Sequence, residues 1–380
     1  MIKNFTAYNP TRLHFGQGIN GKIGKRIRKY GNKVLLIYGQ GSVKRFGYYD
    51  QVTKLLNESG LKFIEYSGIK PNPVIEDVNK AAELAQNENV DLILALGGGS
   101  VIDSAKVISI AAGSSMDAWK IIKGDLNPDR AIPLFCILTL AATGTEMNAA
   151  AVVQNHETKE KIGFVNELMF PKESFLDPTF TLTVPKNYTA FGIVDLIAHA
   201  LEAYFGEGEP SLTDRITFEI IKDAMQWGPQ LLDDLNNIEL RANIMLDATL
   251  ALNGLTQYGK KGGDWGVHAI GHELSLLYDL PHGATLSIAY IAWLTLQKNR
   301  QAERIIKLGQ NLFGVNTADE CIDQLRAFFA KIGSPVSLKE TDVLFDQKQN
   351  ILNQLNLNKV SGMHHKLSSS DHELIVNLMF

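Results

Sequence analysis

Asp195 and His199 stand four residues apart, and His268, His272 and His282 follow much later, so the linear order reads D-x3-H … H-x3-H-x9-H. Residues at i and i+4 share one face of a helix. Asp195 and His199 can therefore approach one ion from one side, and His268 with His272 repeats that geometry on a second segment. His282 lies in Pro281-His282-Gly283, a turn able to bring its ring back toward the same point. If these side chains meet, two segments remote in sequence pack against each other, and no other feature constrains the fold as much. One carboxylate with imidazoles suits Fe²⁺ or Zn²⁺ better than Mg²⁺ or Ca²⁺. A lone His in an apolar helix is more often a hydrogen-bonded core residue. Four of the 9 His belong to this set, and the spacing alone leaves the ion-site and core readings both open.

The length, 380 residues, allows two domains with separate cores. Apolar residues at 45% and charged residues at 21% are ordinary for a globular protein. A net charge of −4 supplies no field for nucleic acid or anionic lipid. The two cysteines, Cys136 and Cys321, form no Cys-x-x-Cys unit and suggest no disulfide framework, which fits a reducing cytoplasm. No signal-peptide core follows Met1, and no stretch approaches the ~20 apolar residues of a membrane span. The expected location is cytoplasmic.

The first half alternates apolar runs with helical patterns. Val34–Tyr38, Lys62–Tyr66, Asp91–Leu96 and Ala131–Ile137 read as strands, and Val74–Asn87 and Ser100–Ala112 as helices. This alternation predicts an α/β domain whose parallel sheet is covered on both faces. From Asn187 onward, long helical periods dominate. Over residues 190–205, Ile193, Leu196, Ile197, Ala200, Leu201 and Tyr204 form an inward stripe, with Asp195, His199 and Glu202 on a different face and Gly206 as the helix stop. The expected boundary lies near residue 180, with a dinucleotide-binding α/β domain over 1–180 and a helical, metal-binding domain over 181–380.

Two strand ends are glycine-rich. Leu94-Ala95-Leu96 runs into Gly97-Gly98-Gly99-Ser100 and at once into a helix. Glycines allow a sharp turn and close approach to a ligand, and a helix N-terminus offers free N–H groups to a pyrophosphate. Ser100 can cap the helix or donate to a phosphate oxygen. A plain strand-to-helix turn explains the same pattern. Gly39-Gln40-Gly41-Ser42 ends an earlier strand without the acidic residue that would meet an adenosine ribose. Such a turn accepts a 2′-phosphate more readily, with Ser42, Lys44 and Arg45 at hand; an ordinary surface turn is the alternative.

Together these residues resemble the iron-containing (group III) alcohol dehydrogenases over nearly the whole chain. Gly97-Gly98-Gly99-Ser100-x-x-Asp103-x-x-Lys106 resembles the family's phosphate turn, and Pro71-Asn72-Pro73 a loop near its cofactor. Thr139-Leu140-Ala141-Ala142-Thr143-Gly144-Thr145-Glu146 is similar to its Thr-rich segment, with Ala142 for a common Gly and Thr145 for a common Ser. Leu176-Asp177-Pro178 resembles its domain junction, and the Asp/His spacing is that of its metal region. Tyr38–Lys44, Glu146-Met147-Asn148 and Ala251–Leu255 are most similar to the NADPH-using, butanol-dehydrogenase-like branch.

The resemblance implies that Asp195, His199, His268 and His282 hold one divalent ion, Fe²⁺ or Zn²⁺, while His272 lies beside it without ligating. It implies cofactor contacts at Gly39, Gln40, Gly41, Ser42, Asn72, Gly97, Gly98, Gly99, Ser100, Asp103, Thr139 and Lys161, and a substrate pocket lined by Asn148. NADPH is expected over NADH. The implied reaction passes hydride between nicotinamide and a small aldehyde or primary alcohol such as butanal or butanol, in a cytoplasmic homodimer that binds neither membrane nor nucleic acid. His272 is the candidate proton relay, with a packing role as the alternative. Glu202 is a candidate orienting acceptor for His199, with a surface salt bridge as the alternative. An NAD-linked polyol dehydrogenase is a second reading. A dehydroquinate-synthase-like lyase is a third, weakened because no Lys/Arg set stands beside the ligand motif to hold a phosphorylated acid.

Overall fold

The structure is a computed structural model that describes residues 1–380. The chain divides into two compact units, and neither is a single stretch. The α/β unit comprises Tyr8–Val184 with Asn236–Met245; the helical unit comprises Met1–Ala7, Pro185–Leu235 and Leu246–Phe380.

In the α/β unit the chain runs β1 (Arg12–Phe15), α1 (Ile23–Ile27), β2 (Lys33–Gly39), α2 (Ser42–Arg45), α3 (Tyr48–Glu58), β3 (Lys62–Ile69), α4 (Ile75–Asn87), β4 (Leu92–Gly97), α5 (Gly99–Ser114), α6 (Ala118–Lys123), β5 (Leu134–Leu138), β6 (Ala150–Asn155), β7 (Glu160–Val165) and β8 (Glu173–Leu176). Six strands form one parallel sheet in the order β1-β8-β5-β4-β2-β3. Strands β6 and β7 form a separate antiparallel hairpin.

Side chains alternate between faces along each strand. Leu35, Ile37, Ile93, Ala95 and Cys136 enter one core with Val78 and Ala81 of α4 and Ile102 and Ala105 of α5. Val34, Leu36, Leu92, Leu94 and Phe135 enter the opposite core with Ile27 of α1 and Val52 and Leu56 of α3. Burial on both sides is why these strands read as unbroken apolar runs. The chain passes from β2 to β3 on one side and returns through α4 to β4 on the other. Strands β2 and β4 therefore pair directly, with Tyr38 opposite Leu96, at the switch point of the sheet. Open parallel sheets bind ligands beyond the carboxyl ends of their strands at such a point, and both glycine turns lie there.

The helical unit holds α7 (Lys186–Tyr204), α8 (Ser211–Asp233), the end of α9 (Ile238–Leu252), α10 (Gly266–Tyr278), α11 (His282–Gln297), α12 (Ala302–Leu312), α13 (Ala318–Lys331), α14 (Lys348–Leu357) and α15 (Ser369–Met379). The expected two-faced helix at 190–205 is instead buried all round from Gly192 to Phe205. The Asp195/His199 face of α7 is covered too, because α11 crosses it closely. A Cβ on Gly283 would stand 2.1 Å from the Phe191 carbonyl oxygen, so only glycine permits this approach. No helix is long and apolar enough to cross a membrane.

Candidate active site

Asp195 and His199 project from the middle of α7, His268 from the first turn of α10, and His282 opens α11. One ligand atom each from Asp195, His268 and His282 lies within 4.8 Å of the others. Around Asp195 Oδ1 stand His199 Nδ1 at 3.6 Å, His268 Nε2 at 3.7 Å and His282 Nε2 at 3.9 Å. His199 stacks on His268 with ring centroids 4.6 Å apart, beside the convergent three. Asp195, His199 and His268 are all buried, yet Asp195 Oδ1, His199 Nδ1 and His268 Nε2 have no hydrogen-bond partner. Buried polar atoms left this way are costly, and a cation shared by Asp195, His268 and His282 satisfies Asp195 Oδ1 and His268 Nε2 at once, while His199 stands outside that set. The donor set of one carboxylate oxygen and imidazole nitrogens fits Fe²⁺ or Zn²⁺.

Burial, opposed only in part by Asp195, pushes His199 down to about 4, so this ring stays neutral and keeps a lone pair. His268 goes the other way. Burial lowers its pKa, but the carboxylates of Asp195 and Glu202 outweigh burial and hold it up to about 9. A cation at Nε2 displaces that proton.

Glu202 bonds to His268, not to His199 as expected from the shared helix face. Its Oε1 lies 3.0 Å from His268 Nδ1 and accepts the His268 backbone N–H at 3.0 Å, while Oε2 accepts the Trp265 N–H at 2.5 Å. The start of α10 presents unpaired N–H groups there, and these outcompete a ring on Glu202's own helix. His272, half-buried one turn beyond His268, packs with its ring 5.3 Å from that of His282 and is outside the convergent set.

In the α/β unit, Gly97, Gly98 and Gly99 carry no positive φ. Space explains two of them: a Cβ would meet Val101 at 2.5 Å from Gly97 and Thr143 at 2.8 Å from Gly99. Ser100 does not cap α5, since Gly98 occupies the cap position; its hydroxyl donates to the Pro71 carbonyl and ties the turn to the 71–73 loop. Lys161 is buried and donates to Asn72 Oδ1 at 2.8 Å, which joins β7 to that same loop. Asp103 turns inward, accepting Thr145 Oγ1 at 2.6 Å and the Val152 N–H at 2.9 Å. The Thr139 N–H donates to the Gly97 carbonyl at 3.0 Å. Asn148 accepts from Lys106 Nζ at 2.9 Å and from the Ala150 N–H at 2.9 Å, and donates to the Gly144 carbonyl at 3.1 Å. These bonds close the 144–150 turn. In the Gly39-Gln40-Gly41-Ser42 turn, Gln40 and Ser42 are exposed and Gly41 has φ +117°, a conformation that favours glycine.

Sequence reasoning overlooked Glu65. Its carboxylate, on β3, accepts from the Tyr38 hydroxyl at 2.5 Å and from Tyr49, and pairs with Lys44 at 3.2 Å. The acidic residue beside the second glycine turn comes from the neighbouring strand, so no local pattern announces it.

A parallel sheet with glycine turns at its switch point and a helical unit with an Asp/His centre define an NAD(P)-dependent oxidoreductase. Residues 10–178 match the model of the iron-containing alcohol dehydrogenases, and residues 189–379 match that of the C-terminal region of the Fe-containing alcohol dehydrogenase family. The chain belongs to the iron-containing alcohol dehydrogenase family. It is 40% identical over 379 residues to the probable NADH-dependent butanol dehydrogenase 1 of Bacillus subtilis, covering 97% of this chain and 98% of that protein. It is 35% identical over 349 residues to the NADPH-dependent aldehyde reductase YqhD of Escherichia coli, covering 89% of each. Among solved structures, NADH-dependent butanol dehydrogenase A of Thermotoga maritima superposes with a TM-score of 0.96 at 37% identity, over 100% of this chain and 99% of that one.

Proposed function

We propose that this enzyme interconverts small aldehydes such as butanal with their primary alcohols, using NADPH in preference to NADH and one Fe²⁺ or Zn²⁺ held by Asp195, His199, His268 and His282. The observation that carries the reading is the convergence of Asp195, His268 and His282 within 4.8 Å, with Asp195 Oδ1 and His268 Nε2 buried and unpartnered. Such an ion, when bound, polarises the oxygen of the substrate. Asp195 contributes the one anionic ligand, and His199 is kept neutral by burial and so able to donate a lone pair. His272, half-buried beside His282, passes a proton between the substrate oxygen and solvent.

The N–H groups at the start of α5 receive the pyrophosphate, and the Gly39–Ser42 turn the adenosine ribose. Lys161 and Asn72, already bonded to each other, hold the loop on the cofactor side. The named relatives divide between NADH for the B. subtilis and T. maritima proteins and NADPH for YqhD. The NADPH preference rests on the absence of a carboxylate within Gly39-Gln40-Gly41-Ser42. NADH preference is a second reading, favoured by Glu65, which occupies Lys44, one of the two cations nearest that turn. A cytoplasmic homodimer belongs to the same proposal, its assembly checked by sedimentation.

The test is oxidation of NADPH and of NADH against a panel of aldehydes, with metal analysis of the same sample. Turnover of short aldehydes, with about one Fe²⁺ or Zn²⁺ per chain and a higher kcat/KM for NADPH, is expected. A metal-loaded sample that reduces no aldehyde overturns the reading; a higher kcat/KM for NADH overturns only its cofactor part.

A further inference from the structure

We infer that Glu202 is the positioning residue of the ion site: from α7 it closes the N-terminus of α10 and dictates which nitrogen of His268 carries the proton. The inference rests on the assignment of Asp195, His199, His268 and His282 to an ion. Helix α10 begins badly on its own. Its cap residue is Trp265, which has φ +63° and makes no side-chain cap bond. An indole has a donor and no acceptor, so Trp265 cannot serve the free N–H groups behind it. In a capping box, the cap side chain takes the N–H of the third helical residue, and that residue's side chain takes the N–H of the cap. Here His268 is the third residue, and Glu202 performs both halves from another helix. Its Oε2 accepts the Trp265 N–H at 2.5 Å and its Oε1 the His268 N–H at 3.0 Å. The Glu202 backbone carbonyl also accepts the Asp264 N–H at 3.1 Å, so the entry to α10 is fixed at both levels.

The same Oε1 lies 3.0 Å from His268 Nδ1. An ionised carboxylate only accepts, so Nδ1 must be the protonated nitrogen. Once a cation displaces the Nε2 proton, the Nε2 lone pair faces the centre, and Nε2 is the atom that lacks a partner, 3.7 Å from Asp195 Oδ1. The Trp265 ring stands edge-on to His268 at 5.4 Å and restricts its rotation further. Glu202 is 1% exposed, and no Lys or Arg pairs with it. Its charge is met by N–H groups and by the positive end of α10, so the carboxylate is committed to this one task. Glutamine at this position has the same size but one acceptor atom. Either the Trp265 N–H loses its partner, or an NH₂ faces His268 Nδ1 and favours the tautomer with Nε2 protonated, which cannot ligate.

The test uses the full chain, stripped of metal and titrated with Zn²⁺ against a chromogenic chelator. The variants are Glu202→Gln, His268→Ala and the double substitution, with thermal midpoints measured alongside. Glu202→Gln is expected to weaken Zn²⁺ binding by about 10- to 100-fold. In the His268→Ala background the same change is expected to add little, because its effect passes through that ring. In the zinc-loaded wild type, ¹⁵N spectra are expected to show His268 with Nδ1 protonated and Nε2 bound to the metal, a readout that needs no variant to fold. Unchanged Zn²⁺ affinity in Glu202→Gln, an equal loss with and without His268, or coordination through Nδ1 would each overturn the inference. Absence of Zn²⁺ uptake by the wild type would instead overturn the ion-site assignment beneath it.

Discussion

His272 and His282 have ring centroids 5.3 Å apart, but only His282 belongs to the set of atoms converging on Asp195. The two substitutions should therefore behave differently. His282→Ala removes a ligand, so metal content and turnover should fall together. His272→Ala should keep its metal and lose about 10²-fold or more in kcat, the usual scale for removing a general acid–base group. Metal analysis and steady-state kinetics on both variants separate the roles. Metal lost from His272→Ala and kept by His282→Ala would reverse them. Glu202 illustrates a further point at this scale: its value lies in the N–H groups it meets on α10, not in its place on the ligand face of α7.

Between elements, Lys106 links α5 to the segment that follows β5. It is fully buried, and its ammonium donates to Thr145 Oγ1 at 2.7 Å, Asn148 Oδ1 at 2.9 Å and the Ala150 carbonyl at 2.7 Å. Burial draws its pKa down to about 8, against the pull of Asp103. Lys106→Met takes the ammonium from all three; Asn148 Oδ1 keeps the Ala150 N–H, so the cost, about 1–3 kcal/mol for each acceptor left unsatisfied, falls on the Thr145 hydroxyl and the Ala150 carbonyl and is read by chemical denaturation. Cofactor KM should rise with it, since the Thr143 side chain beside Gly99 sits on the same segment.

Helices α8 and α9 meet through Asp223 and Asp247. Burial first, and the Asp223 carboxylate second, push Asp247 up to about 8 from 3.8. The folded state thus keeps a proton that the unfolded chain releases above its ordinary carboxyl pKa. Stability from this group is fully present in acid and is lost as pH rises toward 8. Asp247→Asn cannot ionise, so its thermal midpoint should fall less than the wild type's between pH 5 and 8.5. Parallel pH curves for the two proteins would contradict this.

For the whole molecule the open question is cofactor choice. The exposed Gln40 marks the second glycine turn. Gln40→Asp places a carboxylate where the ribose is expected, repelling a 2′-phosphate and accepting from a 2′-hydroxyl. The ratio of kcat/KM for NADPH to that for NADH should drop by about tenfold or more, a difference of ~1.4 kcal/mol. An unchanged ratio would show that residue 40 does not face the ribose.

The sequence by itself determined the parts that obey a local period. Strands β2, β4 and β5 are legible because burial on both faces leaves unbroken apolar runs, and α5 because a helix follows its glycines at once. Strands β1 and β8 are short and carry Arg12, His14 and Glu173, and the β6–β7 hairpin lies outside the main sheet, so no apolar run announces them. The spacing of Asp195, His199, His268, His272 and His282 was legible as two i, i+4 faces and a turn. Packing decided the rest. The Ser100 hydroxyl is spent on Pro71, Asp103 bonds to Thr145 and the Val152 N–H, and Glu65 reaches the second glycine turn from β3. Met1–Ala7 joins the helical unit although nearly two hundred residues separate it from α7, and Asn236–Met245 joins the α/β unit from the far side of α8. Each of these depends on which groups a distant element brings alongside. That information appears only when the chain is folded.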